Sequence, residues 1–137
     1  MRVVILTFLT ILSLACLAYA LTYKELAVQF EEKYRLPSGL LAAICEVESN
    51  WRSYAIGNLG EIGLCQVRLG TLRMLCPQCD ERTLLNPYDN LHIAARYLDW
   101  LRRELGTDDP DVLAAAYNAG PNNQIVRYML RVRSKIQ

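Results

Sequence analysis

The sequence contains a single histidine, His92, and its formal net charge is only +1 over 137 residues. This charge excludes the strongly basic surface with which nucleic-acid-binding proteins attract their ligands. One histidine beside one Cys-x-x-Cys pair, Cys76 and Cys79, supplies too few ligands for a typical structural zinc site. Internal repeats, low-complexity stretches and linkers are also lacking. We therefore expect no nucleic-acid partner, no metal or other cofactor, and a single domain.

The only long hydrophobic run lies at the N-terminus, where residues 3–21 carry no charge. Residues 18–20 read Ala-Tyr-Ala, the small-x-small pattern after which signal peptidases cleave. We interpret residues 1–20 as a secretory signal peptide, which predicts an exported protein, periplasmic or extracellular. A retained membrane anchor is the alternative, because about 19 residues at ~1.5 Å each nearly span a bilayer. A lipid anchor at Cys16 is disfavoured by Ser13, where a lipobox prefers leucine.

Removing this segment balances the charges of the remaining chain. The full sequence has 15 basic and 14 acidic residues, and the first 20 residues contain one basic residue and no acidic one. The remaining chain has an even number of cysteines, which predicts disulfides in an oxidising compartment. Three pairings are possible, and we favour a bond between Cys76 and Cys79 or between Cys45 and Cys65.

The remaining chain carries the patterns of α-helices, which predicts a mainly α fold. Apolar residues recur at helical spacing, and Ser38 is positioned to cap the second helix. Residues 52–66 contain three glycines and predict an irregular loop or short hairpin. The predicted helices are residues 23–35, 39–50, 71–75, 86–105, 110–117 and 122–135.

One acidic residue lies on the apolar side of the second predicted helix. At about 100° per residue, Glu48 falls inside the apolar arc, whereas Glu46 and Asn50 fall on the opposite side. Burial disfavours an ionised acid and raises its pKa, which suits a general acid near neutral pH. The alternative is that this last helical turn opens to water. The apolar residues of the arc are Leu40, Leu41, Ile44, Cys45, Val47 and Trp51.

Three short motifs follow one another in an order and at a spacing typical of one enzyme family. They are ESNW at residues 48–51, GLCQ at residues 63–66 and AYNAG at residues 116–120. These motifs resemble the E-S-x-F/W, G-L-M-Q and A-Y-N-A-G motifs of the SLT family of lytic transglycosylases. Residues 86–98 contain NPYDN and AARYL, which are similar to the N-P-x-x-N and G-A-x-Y-L stretches of that family. The resemblance covers about residues 23–135.

The resemblance implies a single lysozyme-like helical domain over residues 21–137, with the irregular loop or hairpin after the catalytic helix. It implies a lyase that degrades the cell wall by cleaving the β-1,4 bond between N-acetylmuramic acid and N-acetylglucosamine. Glu48 would protonate the glycosidic oxygen and then act as base while the C6 hydroxyl of the muramic acid closes a 1,6-anhydro ring. The implied partner is a peptidoglycan glycan strand, and we expect a monomer.

Supporting roles are implied by the same motifs, one residue at a time. Ser49 would orient the acid or the N-acetyl region of the substrate, with an ordinary hydroxyl near a helix end as the alternative. Gln66, together with the backbone of Gly63, Leu64 and Cys65, would line the glycan groove, with a simple turn as the alternative.

The third motif contributes two further residues to the implied site. Tyr117 would reach towards Glu48 and hold its carboxyl group, and Asn118 would shape the groove. We expect Trp51 to pack in the core rather than stack on a sugar, and we expect His92 to be structural.

The chain departs from the family pattern at a few positions. Cys65 stands where the family has methionine, Ser53 where proline is common, and Gly57 where serine is common. A cysteine is smaller than methionine and can be oxidised, so packing beside the acid is expected to differ. These departures concern the shape of the sugar groove more than the chemistry.

Two other functions remain open at this point. A lysozyme-type hydrolase needs a second carboxylate across the bond, and the candidate acids have no motif around them: Asp80, Asp89, Asp99, Asp108 and Asp109. A non-catalytic glycan-binding component of a secretion or conjugation apparatus is the other alternative, and retention of Glu48 together with Tyr117 argues against it. Secretion, conjugation or phage assembly could each supply a partner.

Protein recovered from an oxidising compartment without reductant should begin at Leu21 and carry fewer than four free thiols. Cleavage after Ala20 would export the domain, and oxidation would then pair its cysteines. N-terminal sequencing identifies the first residue of the recovered chain, and thiol titration under denaturing conditions counts its free cysteines. A chain that still begins at Met1, or four freely titrating thiols, would contradict the corresponding part.

Overall fold

A computed structural model describes residues 2–136 of the protein, and at residues 2–10, 12 and 16–21 it describes the backbone without the side chains. Met1 and most side chains of the proposed signal peptide, including that of Cys16, therefore lie outside the described residues. Among the helices as described, none is both long and apolar enough to cross a membrane.

The regular secondary structure of the described residues is helical apart from isolated β-bridges, which confirms the mainly α fold class. All six predicted helices are present, and five of them match an observed helix to within two residues at each end. The first predicted helix forms the C-terminal part of a longer one. The observed helices are α1 (Arg2–Tyr34), α2 (Leu40–Ser49), α3 (Leu69–Leu75), α4 (Glu81–Leu85), α5 (Pro87–Leu105), α6 (Pro110–Ala119) and α7 (Gln124–Ile136).

The short helix α4 was not predicted. It begins after Asp80, whose carboxylate accepts the backbone N–H of Arg82 at 3.0 Å and so acts as an N-cap. Five residues are too few to show a helical period, so hydrophobic spacing could not reveal this element. Asp80, considered above as a second catalytic acid, is therefore used to start a helix.

Helix α5 is the centre of the domain and packs against α1, α2, α3, α4 and α6. The side chain of Asn86 accepts the N–H groups of the first helical turn, and Gly106 ends the helix in a left-handed conformation. Most of the apolar face of α5 is fully buried, and Leu105 at its end is half-buried. The fully buried residues of this face are Leu91, Ala94, Ala95, Leu98 and Leu101.

Helix α2 begins differently from the prediction, because Ser38 does not cap it. The N-cap position is Gly39, which has a positive φ of 80° and no side chain to offer. The carboxylate of Glu31, on α1, instead accepts the N–H of Gly39 at 2.7 Å and that of Ala42 at 3.1 Å. Glu31 is only 3% exposed, so the first turn of α2 is capped from the neighbouring helix by a buried acid.

The buried side of α2 is narrower than predicted. Val47 was placed at the edge of the apolar arc but is 85% exposed, because this edge lies outside the contacts of α2 with α1, α5 and α6. Trp51 is buried in the core, as expected. His92 is also structural, since its Nε2 lies 2.6 Å from the hydroxyl of Tyr34 and its ring stacks on Phe30 at 5.1 Å.

The glycine-rich segment forms the expected irregular hairpin, with bridges pairing Ile62 with Ile56 and with Val67. One disulfide, Cys45 to Cys65, ties α2 to this hairpin, and a second, Cys76 to Cys79, closes the turn between α3 and α4. Both of the favoured cysteine pairs are thus confirmed.

Replacing Glu31 with alanine should lower the free energy of unfolding by about 3 kcal/mol, the lower end of what its two hydrogen bonds contribute. The substitution removes a charged acceptor from two backbone N–H groups at the start of α2, and such hydrogen bonds contribute about 1.5–3 kcal/mol each. Ser38→Ala is the matched control, because the exposed Ser38 caps nothing, and it should stay within about 0.5 kcal/mol of wild type. Urea unfolding measures both variants; a larger loss for Ser38→Ala than for Glu31→Ala would contradict the capping assignment.

Candidate active site

A pocket of about 450 Å³ lies where the end of α2, the hairpin, the start of α3 and the end of α6 meet beside α5. Four predicted site residues line it, namely Glu48, Gln66, Tyr117 and Asn118. The other four lie behind its wall and are buried: Ser49, Gly63, Leu64 and Cys65.

Glu48 lies in the last turn of α2 and is half-buried at the pocket wall. Burial raises the pKa of its carboxyl group, the negative charge of Glu61 raises it further, and the positive charge of Arg68 opposes both. The predicted position on the apolar side of the helix is therefore correct, and the carboxyl also reaches the pocket. A carboxyl group in this setting keeps its proton to higher pH than an exposed glutamate does.

Ser49 has a structural position rather than a substrate-facing one. Its hydroxyl donates to the carbonyl of Leu64 at 2.6 Å and accepts the N–H of Arg52 at 3.2 Å. The side chain is 2% exposed and does not line the pocket, so the structure gives it no direct access to a substrate. Ser49 ties the helical turn that carries Glu48 to the hairpin, which is consistent with the predicted role of orienting the acid.

The turn at residues 63–66 is held by Asn90, a fully buried residue of α5. The Asn90 Oδ1 accepts the N–H of Cys65 at 2.9 Å, and its Nδ2 donates to the carbonyls of Ile62 at 2.7 Å and Leu84 at 2.8 Å. Gly63 has a φ of 79°, and a Cβ atom there would overlap the Asn90 amide and lie 2.6 Å from the Leu84 carbonyl. Glycine is therefore required for both its conformation and its closeness to Asn90.

Asn90 appeared in the sequence only as part of the NPYDN stretch, with no role of its own. A signal was nevertheless present, because at 100° per residue Asn90 falls beside Leu101 on the apolar face of α5. A buried amide on such a face must find partners, and Asn90 finds three.

Gln66 lines the pocket, but its amide is engaged by the hairpin. The Nε2 donates to the carbonyls of Ala55 and Gly63, each at 3.0 Å. Because the amide has only two hydrogens, neither is left to bind the acetamido group of a sugar. Gln66 lines the pocket, and its predicted contact with a glycan stays a prediction.

Tyr117 does not make the expected hydrogen bond to Glu48. Its hydroxyl donates instead to the backbone carbonyl of Cys65 at 2.7 Å, and a phenol has a single proton to donate. Burial raises the pKa of this phenol, and the nearby charge of Glu48 raises it further. Tyr117 therefore lies close to the acid while it bonds the backbone next to the Cys45–Cys65 disulfide.

The sequence did not predict five polar residues of the pocket: Asn58, Glu61, Arg68, Thr71 and Tyr97. Arg68 Nη2 lies 3.2 Å from Glu61 Oε1, and the Tyr97 ring packs on that of Tyr117 at a centroid distance of 5.5 Å. Glu61 and Arg68 are seven residues apart with a turn between them, so no helical or strand period relates them.

The acids that were considered as second carboxylates are not at this pocket. Asp99 pairs with Arg102 at 3.0 Å and with Arg103 at 2.7 Å. Asp109 caps α6 through the N–H of Asp111. The carboxylate that does line the pocket is Glu61, which was not among the candidates.

A family model described as the transglycosylase SLT domain matches residues 25–134. The chain is 28% identical over 109 residues to the soluble lytic murein transglycosylase of Escherichia coli K12, which covers 75% of this chain and 17% of that protein. It is 32% identical over 104 residues to the membrane-bound lytic murein transglycosylase F of Hahella chejuensis. That alignment covers 72% of this chain and 19% of the relative. It is 31% identical over 111 residues to the membrane-bound lytic murein transglycosylase C of Haemophilus ducreyi. That alignment covers 72% of this chain and 30% of the relative. The chain thus spans less than a third of the length of each of these relatives.

Tyr117→Phe should lower the free energy of unfolding by about 1–2 kcal/mol. The ring is retained, but the carbonyl of Cys65 loses its donor in a buried setting, and an unsatisfied buried group costs about that much. Tyr128→Phe is the matched control, since Tyr128 is exposed on α7 and should leave the urea midpoint unchanged. Equal midpoints for both variants would mean that the Tyr117 hydroxyl contributes nothing to the site's structure.

Proposed function

The chain belongs to the transglycosylase SLT domain family, and on that premise we propose that it is a peptidoglycan lytic transglycosylase. It would cleave the β-1,4 bond between N-acetylmuramic acid and N-acetylglucosamine and leave 1,6-anhydromuramic acid ends. Its binding partner would be a peptidoglycan glycan strand. We further propose that residues 1–20 direct its export and that the protein acts as a monomer without a cofactor.

The observation that carries this proposal is the setting of Glu48. The acid is half-buried in the wall of an open pocket, and burial raises its pKa. A general acid must hold a proton at the working pH and still touch the bond that it protonates. The raised pKa of Glu48 and its place in the pocket wall both support this role.

The proposed reaction needs only this one carboxyl group. Glu48 gives its proton to the glycosidic oxygen, the bond from that oxygen to C1 of the muramic acid breaks, and positive charge develops at C1. The carboxylate that remains then takes the proton of the C6 hydroxyl, and O6 bonds to C1 to close the anhydro ring. The proton has returned to Glu48, and no water is consumed.

The surroundings of Glu48 support this role by fixing its position. The disulfide from Cys45 to Cys65 and the hydrogen bond from Ser49 to Leu64 both connect the last turns of α2 to the hairpin. Tyr117 adds a link from α6 to the same hairpin. A general acid whose helical turn is fixed to the neighbouring hairpin needs little reorganisation when the substrate arrives.

Asn118 and Gln66 are the proposed substrate-side residues. Asn118 is exposed at the end of α6 and lines the pocket, so its amide is available to a sugar hydroxyl or acetamido group. Gln66 would shape the groove through its fixed side chain rather than donate hydrogen bonds to the ligand.

A second candidate function is favoured by Glu61. A lysozyme-type hydrolase uses two carboxyl groups, and Glu61 is a second one at this pocket. The products distinguish the reactions, because hydrolysis adds water and leaves reducing ends, whereas the transglycosylase leaves anhydro ends that are lighter by one water.

Glu48→Gln should lower peptidoglycan turnover by about 10²–10⁴-fold and leave the fold intact, because an amide cannot donate the required proton. Turnover is measured by digesting purified peptidoglycan and weighing the muropeptides by mass spectrometry, with circular dichroism to check folding. Glu46→Gln is the matched control on the same helix, since Glu46 is exposed and pairs only weakly with Lys24 at 3.8 Å. Wild-type rates from a folded Glu48→Gln variant would overturn the assignment.

A further inference from the structure

Glu61 is held in the pocket wall by several fixed contacts. Its side chain is 16% exposed, Oε1 lies 3.2 Å from Arg68 Nη2, and Oε2 accepts the N–H of Leu59 at 3.0 Å. A long acidic side chain on a surface loop normally moves freely. Both carboxylate oxygens of Glu61, in contrast, have a partner, Arg68 for one and the N–H of Leu59 for the other. The carboxylate is therefore presented to the pocket in one orientation.

Gly57 provides the space for this arrangement. A Cβ atom at position 57 would overlap the Glu61 Oε2 atom and lie 2.6 Å from the Gln66 Oε1 atom. Gly57 does not have the positive φ that would call for glycine on conformational grounds. The absence of a side chain at this position is explained by the carboxylate that occupies the space.

The two glutamates of the pocket are in opposite electrostatic settings. Hydrogen bonds from its own N–H and that of Leu59, with help from Arg68, lower the pKa of Glu61, whereas the pKa of Glu48 is raised. The other charged or titratable groups around Glu48 are Arg68, which favours its ionised form, and Tyr117, a phenol kept neutral by burial. Glu48 therefore keeps its proton to higher pH than Glu61 does, and a pair of carboxyl groups whose pKa values are moved apart is typical of glycoside-cleaving sites.

We propose that Glu61 is a fixed anion that stabilises the positive charge developing on the sugar ring as the glycosidic bond breaks. This inference rests on the proposed function. Glu61 forms no bond to the substrate and exchanges no proton in this step: Glu48 donates the proton, the leaving oxygen keeps the bonding electrons, and the C6 oxygen bonds to C1. A preoriented charge facing a developing one stabilises the transition state without reorganising during the reaction.

The test compares Glu61→Gln, Glu61→Asp and Glu46→Gln in the full chain, digesting purified peptidoglycan across a pH series. We expect Glu61→Gln to lower turnover by at least ~10-fold, Glu61→Asp to restore part of it by restoring the charge, and Glu46→Gln to match wild type. Glu61→Gln should also move the high-pH limb of the profile to lower pH, because Glu48 loses a neighbouring negative charge and gives up its proton more readily.

The variant Arg68→Met should shift the Glu48 pKa in the opposite direction to Glu61→Gln. It removes a positive charge near Glu48, so the high-pH limb should move to higher pH. Damage to packing alone would not move the limb in opposite directions for the two variants. Circular dichroism and urea midpoints verify that each variant is folded, and Glu61→Asp keeps the test decisive if Glu61→Gln does not fold.

The results separate this inference from the proposed function. If wild type leaves no anhydro ends, the proposed function fails, whatever Glu61 does. If wild type leaves anhydro ends and folded Glu61→Gln has the turnover and pH limb of Glu46→Gln, the fixed-anion role is overturned. If Glu61→Gln loses only reducing ends and keeps its anhydro ends, Glu61 acts through water instead, and the fixed-anion role is again overturned.

Discussion

The site depends on one buried amide, that of Asn90. Its three hydrogen bonds fix the carbonyls of Ile62 and Leu84 and the N–H of Cys65. The hairpin is thereby fixed to α5, the helix that most of the domain packs against. Ser49 and Tyr117 then bond the same turn through Leu64 and Cys65. The position of Glu48 relative to the pocket thus follows from the packing of α5.

The two acids of the pocket are both glutamates, and their pKa values are moved in opposite directions by their surroundings. Glu48 comes from a helix, where burial is the largest influence on its pKa, and Glu61 comes from a loop, where backbone N–H groups surround it. Loops leave N–H groups unpaired and available to a carboxylate, whereas the N–H groups in the last turn of a helix are already used. The hairpin after α2 therefore supplies what the helix cannot, an environment that stabilises an anion.

The sequence predicted the features that are set by local periodicity. The apolar face of α5 and the caps of Asn86 and Asp109 are encoded within a few residues of their own helices, and both helices were correctly predicted. The cap on α2 was not, because Glu31 reaches it from a different helix. Tyr117 was placed at the pocket, but its hydrogen-bond partner depends on which atoms of a distant loop lie nearest, and spacing cannot show that. Glu61 was missed for the same reason, since its role depends on a pairing across an irregular turn.

The positions at which the chain departs from the family pattern also depend on contacts between residues that are distant in sequence. Cys65 stands where the family has a methionine, and its sulfur bonds Cys45, one turn before Ser49. A disulfide closing a loop of this length stabilises a fold by about 3 kcal/mol, mainly by restricting the unfolded chain. Gly57 stands where serine is common, and the Glu61 carboxylate fills the space that a side chain would need. Each departure is paired with a second residue, Cys45 or Glu61, so neither position can be changed to the family residue alone. Methionine at position 65 would leave the Cys45 thiol unpaired in the core. Serine at position 57 would displace the Glu61 carboxylate. Coupling of this kind is a property of three-dimensional contacts, and a motif compared position by position records only one half of each pair.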